Sequence, residues 1–245
     1  MYKESFLMAW ASLIANKMRS ILTMLGIIIG VAAVIALVSI GNGVKQDIQN
    51  SISSLGSNLL MVMPGAPRTP GVRPSAGSMK SLKVSDYEAI SKLDGVRAAS
   101  PMTNGSYVVI YQNKNWTTSV SGVSYNYLDV NNWSMKSGRF LSEKNVQNRE
   151  RVAVVGKTVV KNLFGDEDPV GAEIRVKNIP FRIIGVLNSK GSGAMGNDQD
   201  DMVIIPYTTA MERVEGVDYL RMIYVVGKDE NGIDRLQSDI ENLLR

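Results

Sequence analysis

The sequence predicts an α+β protein in which one N-terminal transmembrane helix is followed by a folded extracytoplasmic domain with two subdomains. Three observations lead to this class. Residues 20–44 carry no charged side chain, the remainder mixes short strand-like apolar runs with helical patterns, and glycine- and proline-rich turns separate these runs. A chain of 245 residues is long enough for a membrane segment and one large or two small domains.

The net charge of +4 is concentrated at the N-terminus. Residues 1–45 contain four basic side chains and one acidic side chain, so the remaining 200 residues carry only +1. A nearly neutral domain without a basic stripe argues against nucleic acid as a partner. The sequence has no cysteine and no histidine, which excludes a thiol nucleophile, a disulfide framework, a Cys/His zinc site and a Ser-His-Asp triad.

The first 19 residues are predicted to form a cytoplasmic amphipathic segment. Their apolar residues recur at helical spacing, which suits a helix lying in the membrane interface with Trp10 at the headgroup level. The same spacing fits an extension of the transmembrane helix equally well. Lys17 and Arg19 lie directly before the apolar stretch, so the positive-inside rule predicts a cytoplasmic N-terminus.

Residues 20–44 are predicted to form the transmembrane helix. A bilayer core requires about 20 apolar residues. Twelve Leu, Ile and Val side chains occur between Ile21 and Ile40, and their insertion is favourable by roughly 4–7 kcal/mol. A cleaved signal peptide has a shorter apolar region of about 7–15 residues, so an uncleaved anchor is preferred. Gly26 and Gly30 form a small-xxx-small pattern that permits close packing of a second helix, although this pattern is frequent by chance.

The extracytoplasmic domain, residues 45–245, begins with three segments of different character. Residues 47–57 are compatible with a helix, 58–63 predict a strand, and the proline- and glycine-rich residues 64–81 predict a loop. A capping box from Ser85 to Glu88 then predicts a helix over 85–94, with Gly95 in the C′ position. Further strands are predicted at 106–111, 116–123, 151–155, 172–177, 180–187, 202–205 and 219–226, and further helices at 156–164, 207–214 and 232–244.

The sequence Gly156-Lys157-Thr158 is similar to the end of a phosphate-binding P-loop. That motif also requires a glycine five residues earlier, where this chain has Arg151. An ordinary strand-to-helix turn is therefore the preferred interpretation of Gly156.

Two other residue groups are predicted to be structural. The aspartates of the glycine-rich stretch 191–201 lack EF-hand spacing, so a solvated acidic loop is preferred over a Ca²⁺ site. Three methionines are predicted to lie in the core. These residues are Asp198, Asp200, Asp201, Met61, Met63 and Met102. No catalytic, cofactor-binding or metal-binding residue is predicted.

Several segments taken together resemble the MacB-type (FtsX-like) ABC transporter permeases. Residues 16–31 are similar to the first transmembrane segment of that family. Its periplasmic core domain is matched by Leu163-Phe-Gly165, Asp168-Pro-Val-Gly171, Pro180-Phe-Arg-Ile-Ile-Gly-Val186 and Ile204-Ile-Pro-Tyr207. The similarity covers essentially the whole chain, in order.

The resemblance implies an extracytoplasmic domain with two lobes. Residues 46–105 and 216–245 would form a mixed α/β membrane-proximal lobe, and residues 106–215 an inserted, mostly β lobe. It also implies a non-catalytic permease subunit that transmits ATPase-driven motion to its outer domain for efflux of antibiotics, peptides or lipoproteins.

The partners that the resemblance implies are a cytoplasmic ABC ATPase subunit, a membrane-fusion (adaptor) protein, a second permease copy and membrane lipid. The segment containing Trp10, Lys17 and Arg19 would lie where the ATPase engages the permease. No cofactor is implied for this chain, because ATP hydrolysis would belong to the ATPase.

The family has four transmembrane helices, three of them after the outer domain, whereas this chain ends at Arg245. We therefore expect a fragment of a permease, or a product that has lost its transport half. The alternative is a single-pass sensor or binding module. Either protein would reside in the cell membrane, with most of the chain extracytoplasmic.

Overall fold

The computed structural model describes residues 3–6, 8, 17–55, 58–65, 80–193, 196–229 and 232–244, with a backbone description alone for 46–55. The chain divides into two compact units, Met1–Asn50 and Ser51–Arg245. The first unit is helical where it is described, and the second contains a nine-stranded sheet with helices. This arrangement confirms the predicted α+β class with one N-terminal apolar helix.

Helix α1 covers Lys17–Leu55 without interruption, 39 residues in all. It contains the whole predicted membrane segment and continues through most of the polar stretch that was predicted to be helix-compatible. Its described apolar side chains, such as Ile27 and Leu37, are exposed. A helix with this apolar surface matches the expectation for contact with lipid.

The nine strands form one mixed sheet in the order β1-β9-β2-β3-β8-β5-β7-β4, and β6 pairs with both β2 and β7. Most neighbouring pairs are antiparallel, but β3–β8 and β5–β7 are parallel. The strands are β1 (Leu59–Val62), β2 (Val96–Tyr111), β3 (Lys114–Val123), β4 (Met135–Gly138), β5 (Val152–Val155), β6 (Glu173–Val176), β7 (Ile179–Leu187), β8 (Met202–Pro206) and β9 (Met222–Gly227).

Short helices connect and cover these strands. They are α2 (Val84–Ile90), α3 (Tyr127–Asn131), α4 (Glu143–Gln147), α5 (Lys157–Leu163), α6 (Tyr207–Thr209), which continues into a π-helix over Ala210–Glu215, and α7 (Ile233–Leu243). The last of these is amphipathic and buries Leu236 and Ile240.

Strand β2 is shared between two parts of the sheet. Its first half pairs with β9, Val109 and Ile110 near its end pair with β6, and β3 pairs with it from Met102 to Tyr111. The predicted boundary between the two lobes, at 105/106, falls inside this strand. The lobe boundaries themselves remain a prediction.

Three groups of buried apolar side chains form the core, and we name each after a helix that packs on it. The α5 cluster includes Val109, Val155, Leu163, Phe181, Ile205, Ala210 and Val214. The α7 cluster includes Ile90, Ala99, Tyr207, Met211, Ile223, Leu236 and Ile240. The α3 cluster includes Val123, Tyr127, Leu141, Val154, Leu187 and Ile204.

The predicted helix over 85–94 is too long. Helix α2 ends at Ile90, and its start is capped by the Asp86 carboxylate, which accepts a hydrogen bond from the Lys83 backbone N–H at 2.7 Å. Gly95 is not a C′ residue. It lies beside Leu236, whose Cδ1 would be 3.2 Å from a Cβ at this position.

The predicted strand over 106–111 is too short. Strand β2 starts ten residues earlier, at Val96. Pro101 and Gly105 weaken the strand pattern of these residues, but Pro101 pairs with β9 and Gly105 with β3. The sequence analysis also missed α3, β4 and α4, each only four or five residues long.

The other predicted strands and helices are confirmed to within about three residues. The predicted helix over 207–214 is real but changes to π-helical geometry at Ala210. It ends where Gly216 adopts a left-handed conformation with φ 68° and donates its N–H to the Met211 carbonyl at 2.8 Å.

Candidate functional site

One helix in the described part of the chain is long and apolar enough to cross a membrane. It covers residues 17–45, with a mean hydropathy of 2.9 over its most apolar window. Lys17 and Arg19 at its N-terminal end are exposed. The Thr23 hydroxyl donates to the Arg19 carbonyl at 2.8 Å, so this side chain is satisfied within the helix itself.

Gly26 and Gly30 lie four residues apart on the same face of this helix. The positions that their Cβ atoms would occupy have no atom within 4 Å, so this face is open within the chain. Their role in packing a second helix remains a prediction. Trp10 lies outside the described residues, and the coupling role of Lys17 and Arg19 is likewise a prediction.

A surface groove of about 550 Å³ lies between β1 and α7. Strand β1 pairs with β9 alone among the described strands, so it forms an edge of the sheet. The groove is lined by Leu60, Met61, Val62, Met63, Gly65, Gln237, Ile240, Glu241 and Leu244. It is mainly apolar, with two polar side chains from α7.

The core prediction is wrong for Met61 in β1 and for Met63, which directly follows this strand. Met61 is 52% exposed and Met63 is 47% exposed, because both lie at the edge of the sheet. Met102 is half-buried and packs on the α3 cluster. The short apolar run that predicts β1 does not reveal that it is an edge strand, since edge position depends on pairing with distant residues.

The prediction of a solvated acidic loop is wrong for Asp200. This residue is 4% exposed, and its carboxylate accepts hydrogen bonds from the Ser189 hydroxyl, the Lys190 N–H at 2.8 Å and the Gly191 N–H at 3.2 Å. It therefore fixes the backbone after β7. A buried carboxylate requires such partners to offset its lost hydration.

The two neighbouring aspartates also hold structure together. Asp201 accepts from the indole N–H of Trp116 at 2.8 Å, and Asp198 accepts from the Thr158 hydroxyl at 2.6 Å. In the part of the chain that the structure describes, no three acidic residues are placed to hold a metal ion. These carboxylates organise a loop, and their long-range partners could not be identified from spacing.

Gly156 forms the strand-to-helix turn that was predicted. Its N–H donates to the Met202 carbonyl at 2.9 Å, and α5 begins at the next residue. The Thr158 N–H, where a P-loop would present an amide to phosphate, points instead to the Asp200 carbonyl at 3.3 Å. Gly156 therefore has a structural role in the turn between β5 and α5.

Lys190 is a half-buried cation that the sequence analysis did not single out. Its ammonium group donates to the Asn131 carbonyl at 2.6 Å and lies 4.6 Å from the centre of the Trp133 ring. Partial burial lowers the pKa of this lysine. Together with Asp200, it attaches the 188–201 loop to the body of the domain.

The carboxylate of Glu215 is another group that the sequence analysis missed. Its side chain is only 4% exposed and lies at the end of the π-helix. It accepts a hydrogen bond from the Thr103 hydroxyl on β2 and lies 3.9 Å from Nε of Arg221. No local pattern marks Glu215, because its hydrogen-bond partner is 112 residues away.

The chain matches a family of known proteins over nearly its whole length. The model of the MacB-like periplasmic core domain family matches residues 20–243. The macrolide export ATP-binding/permease protein MacB of Rhodospirillum rubrum is 44% identical over 246 residues, which cover 100% of this chain and 37% of that protein. The protein of the same name from Chlorobium luteolum is 38% identical, with coverage of 96% and 36%.

Solved structures show the same fold. The periplasmic region of MacB from Actinobacillus actinomycetemcomitans superposes with a TM-score of 0.68 at 27% identity, covering 79% of this chain and 85% of that one. The extracellular domain of the noncanonic ABC-type transporter YknZ from Gram-positive bacteria gives 0.63 at 18% identity, with coverage of 76% and 92%. At this low identity, the similarity to the YknZ domain shows a shared fold and nothing about function.

The comparisons therefore confirm the resemblance on which the two-lobe and transport predictions rest. The chain spans a little over a third of the length of the curated relatives it matches, so it corresponds to one region of such proteins. That region comprises the apolar helix α1 and the β-rich domain after it. The chain belongs to the MacB-like periplasmic core domain family of transporter permeases.

Proposed function

We propose that this chain is the part of a MacB-type ABC exporter permease that receives ATPase-driven motion in the membrane and transmits it to the extracytoplasmic domain. One observation carries the proposal. Helix α1 runs without a break from Lys17 to Leu55, and β1 begins at Leu59. A membrane helix and a sheet strand are thus joined with three residues between them.

The length of α1 suits transmission. At a rise of 1.5 Å per residue, a 39-residue helix is roughly 58 Å long. The hydrocarbon core of a bilayer is about 30 Å thick. The helix is therefore long enough to cross the membrane and to continue as a stiff rod beyond it.

Strand β1 connects this rod to the sheet. All four of its residues pair with β9, from Leu59 opposite Val226 to Val62 opposite Ile223. Strand β9 in turn pairs with the first half of β2. Displacement of β1 therefore acts on the hydrogen-bonded centre of the domain, because sheet ladders resist stretching along their bonds.

ATP hydrolysis in this proposal is performed by a cytoplasmic ATPase, consistent with the sequence, which contains no Walker motif. The N-terminus, with Lys17 and Arg19, lies in the cytoplasm. A second permease copy and an adaptor protein complete the assembly, and membrane lipid surrounds α1. Relatives are named for macrolide export, and we propose antibiotics, peptides or lipoproteins as the substrate class.

The test is to break the rod without changing the membrane segment or the domain. Ile48 lies in α1 beyond the membrane segment, and Ile48→Pro removes a helix hydrogen bond and introduces a kink. In the transporter that contains this chain, we expect export to fall while ATP hydrolysis continues. The matched control is Ile48→Ala, which preserves the helix.

Unchanged export by Ile48→Pro would contradict transmission through α1. If the chain bound its ligand in the same way with and without an ATPase, the alternative of a single-pass sensor or binding module would be correct. Hydrolysis and export are two separate measurements. Both are made on the same preparation, so a loss of export with continued hydrolysis can be recognised.

A further inference from the structure

Two hydrophobic clusters share one helical segment. Within residues 207–215, Tyr207 and Met211 pack in the α7 cluster, whereas Ala210 and Val214 pack in the α5 cluster. Each pair is four residues apart, so the two faces of a single helical segment belong to different cores. A change in the position of one cluster relative to the other must therefore act on this segment.

The segment lies directly on strands β2 and β3. Thr103 and Gly122 are opposite each other in these strands. A Cβ atom on Gly122 would lie 2.8 Å from Cγ2 of Thr103 and 3.0 Å from Cα of Tyr207. Only a glycine permits this approach, so the helical segment and the strands form a close contact with no space for a side chain at residue 122.

Most side chains immediately beyond this point are small or polar. Asn104 and Ser106 face Ser121 and Ser119, and Gly105 faces Val120, which is buried in the α5 cluster. Small and polar side chains contribute little packing energy. Hydrogen bonds and ion pairs at this position consequently contribute a larger share of the stability than they do in the two clusters.

Glu215 supplies those directional contacts. It joins the end of the π-helix to the Thr103 hydroxyl and to the Arg221 guanidinium, and the Arg221 backbone N–H donates to the Met102 carbonyl at 3.0 Å. Three elements, the π-helix, β2 and the residue preceding β9, thus meet at one buried carboxylate. π-Helical turns occur frequently at functional positions.

We propose that Glu215, Thr103 and Arg221 form a polar latch that fixes the α5 cluster relative to the α7 cluster, with Glu215 as a positioning residue. With the latch closed, the domain moves as one body. With the latch open, residues 104–106 of β2 and their ladder partners 119–121 of β3 bend together as a hinge. The inference deepens the proposed function, because transmitted motion is useful only if it reaches the whole domain.

The test measures the separation of the two clusters directly. The chain has no cysteine, so spin labels can be attached at introduced cysteines without further changes. Lys92→Cys, in the turn after α2, and Lys114→Cys, at the β2–β3 hairpin, place exposed labels on either side of the latch. Distance distributions are recorded on the full 245-residue chain in detergent.

We expect a narrow distribution for the labelled parent. Glu215→Gln and Thr103→Val are each expected to broaden it, because the loss of a hydrogen bond to a buried charge raises the population of a second arrangement on the order of tenfold. Thr103→Ser retains the hydroxyl and should restore the narrow distribution. Circular dichroism confirms that each variant is folded.

The matched control is Glu212→Gln. Glu212 lies in the same π-helix but is exposed, and its partner Arg149 is on the surface at 2.8 Å. Equal broadening by Glu212→Gln, or a narrow distribution for folded Thr103→Val, would overturn the latch. If Glu215→Gln does not fold, the two Thr103 variants decide. The measurement involves neither ATPase nor export, so its failure is distinguishable from a failure of the proposed function.

Discussion

The carbonyl oxygen of Asp200 lies against Cα of Gly156, in the space that a Cβ atom would fill. The contact joins the loop before β8 to the start of α5, and it is accompanied by the hydrogen bond from the Thr158 N–H to the same carbonyl. A glycine that looks like part of a nucleotide-binding motif is therefore required for packing.

Gly156→Ala should destabilise the domain. The added methyl group meets a backbone carbonyl that cannot rotate away, so the free energy of unfolding is expected to fall by about 1–3 kcal/mol. Urea-induced unfolding in detergent measures the change. Gly65→Ala is the control, because no atom lies within 4 Å of the position that its Cβ would occupy. Equal losses for both variants would show that the Asp200 contact is not the cause.

Asp200→Asn should also destabilise the domain. An amide cannot accept from the Ser189 hydroxyl and from two backbone N–H groups as well as a buried carboxylate does, and the expected loss is about 1.5–3 kcal/mol. Trp133 contacts Lys190 in the same loop, so its fluorescence reports local loosening. The exposed Asp166→Asn should change stability by less than about 0.5 kcal/mol. A stability equal to that of the parent would indicate that the loop does not depend on the charge.

Tyr207 should contribute to a fall in the stability of the domain at alkaline pH, together with other buried tyrosines such as Tyr127. Burial, with smaller contributions from Tyr87 and other nearby groups, raises the pKa of Tyr207 to about 12, whereas an unfolded tyrosine ionises near a pKa of about 10. Between these two values the unfolded chain loses its proton first, so the free energy of unfolding decreases as pH rises. Below pH 10 this effect is absent.

The measurement is urea unfolding of the parent and of Tyr207→Phe between pH 9 and pH 12. The variant should lose less stability over this range than the parent. Tyr125→Phe, at an exposed tyrosine, is the control. Identical slopes for the parent and Tyr207→Phe would show that Tyr207 does not govern the alkaline transition.

Met61 and Met63 should be oxidised before the buried methionines. Oxidation of a thioether by peroxide follows its exposure, and these two residues are 52% and 47% exposed, whereas Met211 is 8% exposed. Peptide mass spectrometry after brief peroxide treatment of the folded chain measures the order. Protection of both Met61 and Met63 would mean that another molecule or another copy covers the groove between β1 and α7.

Cysteine labelling should place Lys3, before α1, and Lys114, in the domain after it, on opposite sides of the membrane. Lys3→Cys is expected to be protected from a membrane-impermeant maleimide in protoplasts or spheroplasts, whereas Lys114→Cys is expected to react. The absence of native cysteine removes background labelling. The reverse result would contradict the positive-inside assignment, and loss of the Lys3 peptide would indicate a cleaved signal sequence.

The sequence was sufficient for elements with a strong local pattern. Strands β5, β7 and β8 read as apolar runs because both of their faces are buried, and α1 is defined by its length without charge. Short elements such as α3 and β4 have too few residues for a period to emerge. Their positions depend on the packing of distant segments.

The buried polar groups could not be predicted for a related reason. In the sequence, Asp200 and Glu215 resemble ordinary acidic residues of a loop and a helix. Their side chains are buried because the fold brings distant hydrogen-bond partners close to them. Trp116 and Asp201 are 85 residues apart and still form a hydrogen bond. Such pairs are properties of the sheet topology, and composition or spacing contains no trace of them.

The sharing of β2 between the α7 and α5 clusters limits how this domain can be recombined. A chimaera that exchanges the segment after residue 105 with that of a relative would divide a single 16-residue strand between two parents. Its two halves would have to match the ladders of β9, β3 and β6 at once. Exchange of parts of this domain between relatives therefore requires the whole of β2 to be transferred together with β3, β6 and β9, the strands that pair with it.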